Sequence, residues 1–208
     1  MRPRIPTPEA PLRLAVLASG SGSGMEALAR YQARTPDVLH CTALVLVDRP
    51  AAGAIGRAAT LGLTVAVVPL PLVEDPAARR RAHEGAVEEE LEKHGIEVVV
   101  LSGWMRLLTP AFVRAWRGRL LNIHPSLLPA FPGAHAHRDV LAAGVERSGC
   151  TVHFVDEGMD TGPIVAQAEV PVLPNDDEAS LAARVRHEEH RLYPEVLDAY
   201  ALGTVSFP

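Results

Sequence analysis

Short runs of apolar, valine-rich residues recur along the first half of the chain, at positions 14–18, 43–47, 65–68 and 98–101. They read as buried strands. Between them lie stretches of helical character, at 25–33, 54–61 and 76–94. Strand alternating with helix predicts right-handed βαβ units and a parallel sheet, hence an α/β fold. Such sheets bind ligands beyond the carboxyl ends of their strands, so the residues just after Leu17, Val47, Leu101 and Ile123 are the places to look for chemistry. The second half is less regular. A short helix over 110–116, a strand ending near Ile123, a proline-rich turn over 125–133 and a helix over 136–143 are predicted, followed by strands over 150–155 and 164–172. A last helix over 177–201 follows the turn signal of Pro174 and Asn175, and Pro194 is expected to kink or restart it.

Composition narrows the class. A chain of 208 residues that is 48% hydrophobic and 22% charged buries enough apolar surface for one globular domain, expected over 12–208. The segment 1–11 carries Pro3, Pro6, Pro8 and Pro11 with no apolar run suited to a signal peptide or membrane span, and is expected to be a disordered leader. A formal charge of −5, with basic residues interleaved with acids between Arg79 and Glu92, leaves no basic footprint for nucleic acid. Cys41 and Cys150 sit in apolar stretches without metal-ligand spacing, which fits buried thiols in a reduced, cytoplasmic protein.

Three strings carry candidate chemistry. The first, Ser19-Gly20-Ser21-Gly22-Ser23-Gly24-Met25, follows a strand and opens a helix. Glycines there let backbone amides face an anion while the helix dipole adds positive potential, which makes a phosphate cradle. A dinucleotide fingerprint fits worse, because Met25 stands where its third glycine belongs. The second runs from Leu121 to Pro129, where Asn122 and His124 project from one face of a strand end. An amide and an imidazole so placed can donate to an oxygen that turns negative during acyl transfer. The third, Val152 to Ile164, holds Asp156, Glu157 and Asp160 in a loop between two strands. A carboxylate there can pair with His124 and take the proton that an attacking amine loses. The residues themselves do not choose among the three acids.

The glycine-rich loop, Gly103-Trp104-Met105-Arg106-Leu107-Leu108, Asn122 to Pro129, Pro132-Gly133-Ala134-His135-Ala136-His137 and Met159 to Pro163 together resemble, in order and spacing, the phosphoribosylglycinamide formyltransferases. The resemblance spans about Leu12 to Tyr193 and implies a Rossmann-like formyltransferase fold with a mostly parallel sheet flanked by helices. It implies formyl transfer from 10-formyltetrahydrofolate, as co-substrate, to the amine of N1-(5-phospho-D-ribosyl)glycinamide in purine synthesis, with no metal. It carries the catalytic role to Asn122, His124 and Asp160, with His124 the general acid. Gly22, Ser23 and Gly24 match the phosphate end of the ribonucleotide site, and Arg186, His187, Glu188 and Glu189 match the segment reaching its ribose and glycinamide, with Glu189 the hydroxyl acceptor. Arg80, Met105, Arg106, Leu107, Leu108 and Asn122 match folate positions, opposite a loop of Asp156, Glu157, Gly158, Met159 and Asp160.

The chain departs from the family pattern in two places within these strings. Gly24 stands where an Asn is frequent, and Trp104 replaces the more usual Phe. The implied partners are small-molecule substrates, with no nucleic acid and no membrane, in a monomer or homodimer. Formyltetrahydrofolate hydrolase is the nearest alternative, set apart by an extra N-terminal regulatory domain. Methionyl-tRNA formyltransferase carries a further RNA-binding domain and a basic balance. A non-catalytic nucleotide-binding module is a rival of another class, against which the intact Asn122, His124 and Asp160 argue. The pairs His135 with His137 and His187 with His190 lack a third ligand at zinc spacing.

Overall fold

The computed structural model describes residues 3–208; Met1 and Arg2, which open the expected leader, lie outside them. Among the described residues thirteen elements follow one another: β1 (Leu12–Ala18), α1 (Ser23–Arg34), β2 (His40–Val47), α2 (Gly53–Thr60), β3 (Val65–Val67), α3 (Pro76–Lys93), β4 (Val98–Leu101), α4 (Pro110–Ala115), β5 (Leu120–His124), α5 (Ala136–Ala143), β6 (Arg147–Phe154), β7 (Ile164–Pro171) and α6 (Glu178–Leu202). One seven-stranded sheet results, in the order β3-β2-β1-β4-β5-β6-β7. The five strands from β3 to β5 run parallel, whereas β6 pairs antiparallel with β5 and β7 antiparallel with β6. This is the mostly parallel sheet that was expected.

Side-chain alternation divides the core between the two faces of the sheet. Along β1, Leu14 and Val16 join Met25, Leu28, Val185 and Leu197 under α1 and α6. Ala15 and Leu17 point the other way and join Val87, Leu91, Phe112 and Trp116 under α3 and α4. Because β1, β2 and β4 are covered on both sides, their sequences read as continuous apolar runs.

The helix starts follow local chemistry. Asp75 accepts from the Ala78 amide ahead of Pro76 to open α3, and Asp177 with Ser180 forms a capping box at α6. Pro194 does not restart α6, which runs unbroken through it. Pro194 is buried with Leu192, Tyr193, Val196 and Leu197. Packing on the sheet offsets the hydrogen bond that proline cannot donate.

Ahead of β1, Arg4 donates from Nε to Glu97 Oε1 at 2.6 Å and from Nη1 to the Ala10 carbonyl at 2.6 Å. These contacts tie the segment expected as a leader to the start of the sheet. No helix among the described residues is long and apolar enough to cross a membrane.

The strand order reverses between β1 and β4, which opens a crevice at their carboxyl ends. The loops after β1, β4 and β5 all empty into that region.

Candidate active site

The β1–α1 loop turns at Gly22, whose φ of 76° lies in the left-handed region. A Cβ there would come within 2.6 Å of the Ala54 Cα and Cβ, so both conformation and space require glycine. No side chain caps α1, which leaves its first-turn amides for an anion.

Asn122 and His124 lie two residues apart on β5 and share a face. The buried His124 ring is held at both nitrogens. Nε2 donates to the Phe131 carbonyl at 2.9 Å, and Nδ1 stands 3.4 Å from Asp160 Oδ2. A carbonyl only accepts, so Nε2 carries a proton and Nδ1 is the atom free to exchange one. Asp160 itself has a φ of 54° and accepts from the Gly133 amide at 2.8 Å. Its other oxygen lies 3.8 Å from His153 Nε2.

The other two acids of that loop turn elsewhere. Asp156 accepts from the Gly158 amide at 3.0 Å and the Thr161 hydroxyl at 2.7 Å, a local turn brace. Glu157 pairs with Arg114 at 2.8 Å. Only Asp160 of the three faces His124. Met159 packs near Gly133, where an added Cβ would meet its Sδ at 3.5 Å, and Gly158 and Met159 complete the loop beside the proline-rich turn.

A cavity of about 270 Å³ opens beside the loop after β4, with Arg79, Arg80, Trp104, Met105, Arg106 and Leu108 among its walls. Leu107 lines it as well, and Met105 and Leu107 are more than half exposed. Three braces hold this wall. The Met105 amide donates to Ser19 Oγ at 2.9 Å, Arg106 Nε to Asp48 Oδ2 at 2.5 Å, and the Thr109 amide to Glu84 Oε1 at 2.6 Å. His83 stacks on Trp104 at 6.0 Å. A larger opening of about 480 Å³, lined by Gln32, His40 and Cys41, lies by the start of β2, away from these residues.

On α6, Arg186 and His187 are exposed, and Glu188 is held by Arg191 at 3.0 Å. Burial pushes the Glu189 carboxyl up to about 7, against the opposing pull of Arg186. His137 Nδ1 and His190 Nε2 are buried polar atoms without a hydrogen-bond partner, and burial lowers the pKa of both rings. Among the described residues no group of three or more His, Cys, Asp or Glu is arranged to hold a metal ion.

The structure thus brings Asn122, His124 and Asp160 into one cluster, and gathers Arg80 with Met105, Arg106, Leu107 and Leu108 around one cavity. Sequence reasoning reached Asp48 and Ser102 only by position, as the residues after Val47 and Leu101, and did not single out His153. The Asn122–His153 pair is visible only through the cross-strand register, and Asp48 only as the residue after β2.

An α/β sheet with a crevice at its strand carboxyl ends, an imidazole–carboxylate–amide cluster at the end of β5 and a cavity beside the loop after β4 fits a group-transfer enzyme acting on an acyl-type carbon. The chain belongs to the formyl transferase family, whose description "Formyl transferase" matches residues 12–197. It is 43% identical over 205 residues to phosphoribosylglycinamide formyltransferase of Mycobacterium tuberculosis, covering 98% of this chain and 91% of the relative. It is 42% identical over 193 residues to the trifunctional purine biosynthetic protein adenosine-3 of Drosophila melanogaster, covering 92% of this chain but only 14% of that longer protein. Among solved structures, phosphoribosylglycinamide formyltransferase from Brucella melitensis superposes with a TM-score of 0.84 at 43% identity, covering 94% of this chain and 98% of that one.

Proposed function

We propose that this protein transfers the formyl group of 10-formyltetrahydrofolate to the amine of N1-(5-phospho-D-ribosyl)glycinamide, a step of purine synthesis in the cytoplasm. The observation that carries the reading is the His124–Asp160 pair, 3.4 Å apart, set beside Asn122 at the strand carboxyl ends. The glycine-rich loop supports a phosphate-bearing acceptor, which a hydrolase would not need.

The residues divide the work. Amides of Gly22, Ser23 and Gly24 receive the phosphate, and Arg186, His187, Glu188 and Glu189 face the ribose and glycinamide. The cavity walled by Met105, Arg106, Leu107 and Leu108, with Arg80 at its rim, suits a flat heteroaromatic body bearing a carboxylate tail. Asp156, Glu157, Gly158 and Met159 form the loop across from it.

Asn122 donates to the formyl oxygen as it gains charge, joined by His124 when Nδ1 has also taken up a proton. Asp160 accepts the proton lost by the attacking amine, directly or through a water, and returns it toward the folate nitrogen whose bond to carbon breaks. No covalent intermediate on the protein is required, and most of the rate comes from positioning and fixed dipoles.

The test is turnover of glycinamide ribonucleotide with 10-formyltetrahydrofolate, followed by folate release, for wild type and His124→Ala. Wild type turns over, and the variant loses at least about 10²-fold in kcat, the usual cost of one oxyanion donor. Wild-type release of formate without the ribonucleotide would replace this reading with a hydrolase.

A further inference from the structure

Gly24 occupies the first turn of α1, at the mouth of the glycine-rich loop. A Cβ placed on it would lie 2.3 Å from Ser102 Oγ and 3.6 Å from Ser102 Cβ. Non-bonded carbon and oxygen do not approach so closely, so a side chain at position 24 would displace the hydroxyl at 102 from this rotamer. The two positions form one steric unit.

Ser102 follows directly on β4 and is locked in place from the backbone, its amide donating to the Leu17 carbonyl at 3.0 Å. Its hydroxyl has no hydrogen-bond partner among the described residues, and the side chain is only half-buried. This hydroxyl, which neither caps a helix nor braces a turn, sits where a Gly24 side chain would project, in the uncapped first turn of α1.

We propose that the Ser102 hydroxyl is a binding residue for the phosphate of the acceptor ribonucleotide, filling the space that the missing side chain of Gly24 leaves. The inference rests on the functional reading above and adds a residue to its phosphate site. The hydroxyl donates to a phosphate oxygen beside the amide donors of Ser23 and Gly24, the charge-assisted kind of hydrogen bond that contributes most. Gly24 therefore admits a polar group from β4 where the frequent Asn would supply one from α1.

Three variants test it: Ser102→Ala, Gly24→Asn and the pair combined. In Ser102→Ala the ribonucleotide KM and the inhibition constant of inorganic phosphate rise together, about tenfold, as for one lost hydrogen bond to a charged group. The folate KM and kcat stay within about twofold of wild type. Gly24→Asn alone weakens ribonucleotide binding by collision with the hydroxyl, and adding Ser102→Ala restores it, a non-additive pair.

An unchanged phosphate constant in Ser102→Ala, or a rise in the folate KM instead, overturns the assignment. So does a combined variant no better than Gly24→Asn. Calorimetric titration of inorganic phosphate into wild type and Ser102→Ala reads the contact without turnover. Absence of wild-type turnover would count against the functional reading, while equal phosphate affinity in the two proteins would count against Ser102.

Discussion

Asn122 Nδ2 donates a hydrogen bond to His153 Nε2 at 3.1 Å, across the register pair that joins β5 to β6. The direction is set one atom further out. His153 Nδ1 donates to the Phe154 carbonyl at 2.9 Å, so Nε2 has only a lone pair to offer. Burial lowers the His153 pKa and keeps the ring neutral. His153 is therefore a positioning residue for the Asn122 amide. His153→Ala should lower kcat about tenfold while leaving the ribonucleotide KM near wild type, measured by steady-state kinetics. An unchanged kcat would show that Asn122 holds its orientation without this partner.

Asp160→Asn should separate charge from shape. Asn tolerates the left-handed backbone at φ 54°, and its oxygen can still accept from the Gly133 amide, so the turn persists. Only the carboxylate beside His124 is lost. We expect kcat to fall by about 10²-fold or more, the range of general acid–base catalysis, with both KM values changed less than about threefold. A variant with wild-type kcat would return Asp156 and Glu157 to candidacy.

The Asp48 side chain is fully buried and takes its nearest charge from Arg106 at 2.5 Å, with its other oxygen unpartnered. Arg106→Met leaves that carboxylate with only the more distant Arg49, at 3.9 Å, which should cost about 3 kcal/mol in urea unfolding. Adding Asp48→Asn removes the stranded charge and should recover most of the loss. Additive destabilisation would mean the two side chains act independently.

Glu189 gives a pH signature. Its folded carboxyl is raised to about 7 from an ordinary 4.5, so the folded state holds a proton that the unfolded chain has released. Its contribution is fully present below pH 4.5 and is lost as pH rises to about 7. As an acceptor for a ribose hydroxyl it works best ionised, so the ribonucleotide KM should fall as pH rises through about 7. In Glu189→Gln that slope should vanish, and a slope that survives would assign it to another group.

Buried imidazoles act in the opposite sense. Burial lowers the pKa of His40, His137, His153 and His190 below the ordinary 6.5. The unfolded chain then takes up protons that the folded state refuses, and stability drops as pH falls below 6.5. Urea midpoints measured from pH 7.5 down to about 5.5 should decline, and His40→Gln should flatten part of that decline. A flat profile would show that partners such as Asp198, 3.0 Å from His40, offset the burial.

The elements themselves were legible because their signals are local. Covered strands advertise themselves as apolar runs, and the helix over Ala136–Ala143 and the strand Val98–Leu101 fall where the pattern puts them. The glycine-rich loop was legible for the same reason, since a strand, a turn and a helix start are neighbours in sequence. By contrast, Asp156, Glu157 and Asp160 are chemically alike within five residues, and only the folded loop turns one toward His124 and the others toward Thr161 and Arg114. Pro194 signals a break locally, yet burial of α6 on the sheet overrides it. Asn122 with His153, Asp48 with Arg106 and Gly24 with Ser102 are 31, 58 and 78 residues apart. Local periodicity determines which face of a strand or helix a side chain takes; strand order and register decide which distant side chain it meets, and these pairs exist only once the sheet has formed.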